Sequence, residues 1–188
     1  MPWCQTHAQG ERHPKPTPKP PTVTDGPTLS ETKLWLETEG LPLLYAFSSH
    51  LDKQYLIGSS FLHRVSKITI DTCLLSFVTA DTVIVNSQIS KNTTTYEWTY
   101  GIPLRDLDLG ALTVGDDRIE GLMDEAEQFV RIKTRAAVGP TIHTKAKDGT
   151  RSVQSEARLF VHNREDGERV AKAIARAGKF CGAAASPF

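Results

Sequence analysis

SEARLFVHNREDGERVAKAIARAGKFCG, from Ser155 to Gly182, decides how the rest of the chain is read. Its opening belongs to SVQSEARLFVH (Ser152 to His162), a run that predicts a strand. Asn163 then suits a helix N-cap, because its side-chain oxygen can accept a hydrogen bond from a first-turn N–H. Glu165 and Asp166 follow where negative charge favours the helix dipole. Val170, Ile174, Ala177 and Cys181 recur at spacings of four, three and four, the stripe of a helix buried on one side. Arg169, Lys172, Arg176 and Lys179 take the flanks and the outer face, and the alanines permit close approach to a sheet.

Upstream, Asp148-Gly149 is the strongest hairpin signal, joining TIHTKAK (Thr141 to Lys147) to that last strand. FVRIKTRA (Phe129 to Ala136) alternates, with Phe129, Arg131, Lys133 and Arg135 on one face and Val130, Ile132 and Thr134 on the other. ALTVGDD (Ala111 to Asp117) reads as a short strand and Arg118 to Glu127 as an acidic loop or helical turn. TTTYEWTYGIPL (Thr93 to Leu104), TVIVNSQI (Thr82 to Ile89) and KITIDTCLLSFV (Lys67 to Val78) predict further strands, with turns at Lys91-Asn92 and Ala80-Asp81. Leu41 to Phe61 reads as a loop with room for a short strand or helix. TLSETKLWLETEG (Thr28 to Gly40) predicts a short helix: Thr28 and Glu31 stand at capping-box spacing and Gly40 is a stop. Leu29 and Leu36 fall on its apolar face, widened by Leu34 and Trp35. Residues 1–27 read as a disordered tail, with PKPTPKPP (Pro14 to Pro21) favouring extended polyproline II. The plan is thus one domain over 28–182 and a flexible C-terminal tail over 183–188.

About seven strands, mostly in hairpins, followed by one C-terminal helix: over Lys67 to Cys181 this order resembles the pleckstrin-homology-like (PH-like) superfold. The resemblance implies an α+β domain, with an antiparallel barrel or strongly curved sheet capped by the C-terminal helix and the N-terminal helix packed outside. It also implies a sheet edge, or the gap beside the helix, as the place for a peptide. The ending RVAKAIARAGKFCG resembles the close of uncharacterised bacterial proteins, which implies no particular activity.

A chain of 188 residues with 39% hydrophobic content suits one domain plus a tail. Formal net charge is zero, but Pro27 to Val130 holds 7 basic and 15 acidic residues, a net of −8. Arg131 to Phe188 holds 12 basic and 5 acidic, a net of +7. Either the basic half meets an anionic partner or the halves neutralise each other; pairing of strands from both halves in one domain favours neutralisation. No apolar run reaches the length of a membrane span, and MPWCQTHAQG lacks the apolar core of a signal peptide. As written, the chain reads as cytoplasmic. A periplasmic form, or one anchored through Cys4 ahead of the Pro-rich spacer, would need an upstream segment.

Three cysteines, Cys4, Cys73 and Cys181, are too scattered for zinc or a redox pair. Cys73 and Cys181 could form a disulfide, which would imply an oxidising compartment, or remain unpaired thiols. None of the six histidines stands in an HxH or HExxH arrangement. The acidic residues Asp106, Asp108, Asp116, Asp117, Glu120, Asp124, Glu125 and Glu127 lack the spacing of a calcium loop and read as a solvated rim and loop. No nucleophile elbow, P-loop or dinucleotide fingerprint occurs, so neither enzyme activity nor a cofactor is expected.

The candidate site is basic. Arg131, Lys133 and Arg135 line one strand face, and Lys145 and Lys147, with Arg151 and Arg158, lie on the next hairpin. Together they could meet phosphates or anionic lipid headgroups. No interleaved aromatic residues suit stacked bases, so nucleic acid is not expected. The expected role is a non-catalytic binding module for a protein or peptide. The alternatives are a module for an anionic membrane surface or phosphoinositide-type ligand, and an unrecognised hydrolase.

Overall fold

The computed structural model describes residues 26–52, 57–87, 89–117 and 127–184. Helix α1 (Leu29–Trp35) opens with the expected capping box: the Glu31 N–H donates to the Thr28 hydroxyl, and the Glu31 carboxylate accepts from the Thr28 N–H at 2.7 Å. A π-helical turn carries the chain over Leu36–Gly40. Leu36 is buried, but Leu34, placed on the apolar face by sequence, is exposed.

Nine strands follow among the described residues: β1 (Tyr45–Asp52), β2 (Ile57–Asp71), β3 (Leu74–Asn86), β4 (Lys91–Pro103), β5 (Thr113–Asp117), β6 (Glu127–Lys133), β7 (Ile142–Ala146), β8 (Arg151–Gln154) and β9 (Glu156–Val161). Helix α2 (Arg164–Phe180) closes the order, with Asn163 accepting from the Asp166 N–H at 2.9 Å. The fold is α+β, but the strands do not close into one barrel. They form a six-stranded sheet, β1-β2-β3-β4-β7-β8, and a three-stranded sheet, β5-β6-β9, with antiparallel pairing throughout both.

Two local events separate this arrangement from the expected seven strands. The first is at Asp71–Leu74. The expected turn at Ala80-Asp81 is absent, and β3 runs straight through it. The chain reverses instead at Thr72 and Cys73, both at positive φ (45° and 63°). Two successive left-handed residues suit the right-handed twist of a two-residue hairpin. For L-residues other than glycine, each costs roughly 1–2 kcal/mol. Here tertiary bonds fix the turn: Cys73 is joined to Cys181, and the Cys73 carbonyl accepts from the Leu104 N–H at 2.8 Å.

The second event is at Ser155. The run Ser152 to His162 is not one strand: β8 pairs with β7 in the large sheet, and β9 pairs with β6 in the small one. One residue therefore carries the chain from sheet to sheet. The two inner faces and α2 share one core, in which Leu36, Leu75, Phe77, Ile102, Ile132, Leu159, Val170 and Ile174 are all essentially inaccessible. Past α2, Ala184 bridges Asp108 and accepts from the Leu109 N–H, so the chain is still packed at a position read as flexible tail; 185–188 lie outside the described residues. So do residues 1–25, which hold most of the expected N-terminal tail and Cys4.

Candidate functional site

Register decides which polar side chains meet. His63 on β2 pairs with Asp81 on β3, and both point inward, in step with Val65 and Thr79. The imidazole contacts the Asp81 carboxylate through Nδ1 at 2.9 Å and the Glu127 carboxylate through Nε2 at 3.1 Å. The second oxygen of Glu127 accepts from the Ser48 hydroxyl at 2.6 Å, and the imidazole stacks on Phe160, with ring centroids 4.0 Å apart. Burial alone would push the imidazole pKa down. The hydrogen bonds and charges of Asp81 and Glu127 outweigh it and raise the pKa to about 9. His63 is therefore an imidazolium at neutral pH, with both N–H groups committed.

A serine, a histidine and two carboxylates thus come together without forming a catalytic set. Ser48 bonds to Glu127 rather than to His63, and the imidazolium has no free lone pair with which to act as base. Glu127, placed on a solvated rim by sequence, is buried, as is Asp106; Glu120, Asp124 and Glu125 lie outside the described residues. Beside the network, a cleft of about 340 Å³ between the sheets is lined by Thr79, Asp81, Tyr100, Glu156, Arg158 and Phe160, among others. Burial, then the charge of Asp81, raises the Tyr100 phenol pKa. Among the described residues, no group of three or more His, Cys, Asp or Glu could hold a metal ion.

The basic residues expected to act together divide into separate groups. Arg131 and Lys133 on β6, with Arg158 on β9, surround the Glu156 carboxylate at 3.5, 3.2 and 3.3 Å. Burial alone would raise the Glu156 pKa, but hydrogen bonds and charge from these cations hold it below the usual carboxylate range. Arg135 donates to the Arg105 carbonyl at 3.0 Å. Lys145 lies on β7 of the large sheet, where it pairs in register with Arg151, and Lys147 follows just past the end of that strand. Neither Lys145 nor Arg151 has an ion-pair partner among the described residues. Cys73 and Cys181 form a disulfide, with Cα atoms 5.6 Å apart.

Sequence reading missed the edge of the large sheet. Leu41 to Phe61, read mostly as loop, contains β1 and the start of β2. Among the described residues β1 ladders with β2 alone, and it lies against β6 and β9 without a ladder. Tyr45, Phe47 and Leu51 share one face of β1 and are 38%, 54% and 52% exposed. The alternation Tyr-x-Phe-x-x-x-Leu was the available signal, masked by the serines between. No helix among the described residues is long and apolar enough to cross a membrane. No protein-family model, curated protein or solved structure matches this chain.

Proposed function

We propose that the chain is a non-catalytic binding module that takes an extended peptide segment of a partner protein as an added strand along β1. The carrying observation is the edge itself. Soluble proteins blunt edge strands with charge, proline or bulges. Strand β1 instead presents eight residues, with large apolar side chains at alternating exposed positions. Backbone hydrogen bonds to the open edge would supply affinity, and contacts with Tyr45, Phe47 and Leu51 would supply specificity. The commitment of His63 and Ser48 to Glu127 supports a non-catalytic role. Binding of an anionic surface through Arg131, Lys133 and Arg135 is disfavoured by their existing partners. The Cys73–Cys181 bond supports residence in an oxidising compartment.

The test is selection from a displayed library of extended peptides, followed by amide-shift mapping of the enriched sequences. Enriched peptides should alternate apolar residues, perturb Tyr45–Asp52, and lose binding to a Phe47→Asp/Leu51→Asp protein. Both side chains are exposed, so that protein should fold. No enrichment, or a footprint away from β1, would overturn the proposal.

A further inference from the structure

Across the molecule from β1, the outer face of the large sheet carries a basin of about 470 Å³. Strand registers build it from two rows. Ser76, Gly101, His143 and Val153 lie side by side in one; Val78, Thr99, Lys145 and Arg151 lie side by side in the next. Gly101 forms an open floor between them: a Cβ there would meet only the tip of Leu74, at 3.9 Å. The lining contains Lys145, Arg151, His143, Ser76 and Thr99, and no carboxylate. The next row on β4 and β7 holds Glu97, whose carbonyl accepts from the Lys147 N–H at 3.1 Å.

Lys145 and Arg151 are directly opposite across an antiparallel pair. Like charges in that relation repel and destabilise the hairpin. Elsewhere this fold gathers its cations around an acid, as Arg131, Lys133 and Arg158 gather around Glu156. Here no carboxylate lines the basin among the described residues, and Glu97 on the same face stands one row away. We infer that the basin is a binding site for a phosphate group, held between Lys145 and Arg151 with a hydroxyl donor from Thr99, the neighbour of Lys145 across β4 and β7. A tetrahedral dianion neutralises both cations and accepts from Lys145, Arg151 and Thr99, and the guanidinium can bind it with two parallel N–H donors. The site is separate from the β1 edge and stands or falls independently of it.

Inorganic pyrophosphate, titrated into isotope-labelled full-length protein, should shift the amides of Ser76, Thr99, Gly101, Lys145 and Arg151 saturably. Added salt should weaken the binding. Lys145→Gln and Arg151→Gln should each weaken it by roughly tenfold or more, while raising the urea midpoint of the free protein, because each removes the repulsion. That opposite pair of effects distinguishes a ligand site from a merely tolerated charge pair. Lys91→Glu, at the far end of β4, should change neither. Vesicles of phosphatidylcholine, with and without phosphatidic acid, identify the source. Sedimentation only with phosphatidic acid, lost in Lys145→Gln, assigns a lipid headgroup; pyrophosphate binding without sedimentation assigns a soluble phosphate. Absence of saturable shifts at Lys145 and Arg151, or glutamine variants that bind as wild type, would overturn the inference.

Discussion

Stability should fall as pH rises through the range in which His63 loses its proton. Its folded pKa is about 9, against an ordinary 6.5. Because the folded value is the higher one, the stabilisation is complete below pH 6.5 and decays as pH approaches 9. At about 1.4 kcal/mol for each tenfold change in proton affinity, the span amounts to about 3 kcal/mol. The cause is spatial: Asp81 and Glu127 flank the ring at 2.9 and 3.1 Å, and a neutral imidazole could donate to only one of them. Urea unfolding from pH 5.5 to 10 measures the slope. His63→Gln should remove that slope while lowering stability at neutral pH by roughly 3 kcal/mol, because buried Glu127 and half-buried Asp81 would lose their cation. Wild-type stability that stays flat between pH 6.5 and 9, or the same slope in His63→Gln, would show that the His63 proton does not hold Asp81 and Glu127 together.

Two further outcomes follow from covalent linkage and packing. Reducing Cys73–Cys181, or replacing both residues by serine, releases a crosslink between residues 108 apart; a thermal melt should show a loss near 4–5 kcal/mol on the chain-entropy view. Gly167 lies inside α2, where alanine would ordinarily favour the helix by about 1 kcal/mol. There, however, a Cβ would come within 3.0 Å of Val114 and 3.2 Å of Val161. Gly167→Ala should therefore destabilise by about 1–2 kcal/mol in denaturant unfolding, and a stabilised variant would show that α2 can shift outward.

What could be read in the sequence was what local chemistry dictates. Asn163, the Val170-Ile174-Ala177 stripe, the Thr28–Glu31 cap and the Asp148-Gly149 turn each act within a few residues, and each is found in its expected role. The turn at Thr72-Cys73 was illegible because neither residue type favours a left-handed backbone, and its support comes from Leu104 and Cys181, far along the chain. The break at Ser155 was hidden because alternation continues on both sides of it; only the separate partners β7 and β6 reveal two strands. The basic stripe showed which cations share a face but not that Glu156 stands among them. His63, Asp81, Glu127 and Ser48 are spread over 79 residues, and only the strand registers bring them together.

The chain's single-residue passage at Ser155 makes the domain mechanically lopsided. On that side the two sheets share a covalent hinge, so their separation there is fixed by one peptide unit on each side of a serine. On the opposite side, β1 lies against β6 and β9 without a shared ladder. What fastens the sheets there is Glu127, reached from the large sheet by Ser48 and His63. The molecule is built like a clasp, hinged by backbone and latched by a proton. Alkaline pH loosens the latch and leaves the hinge intact, so the sheets would part first beside β1.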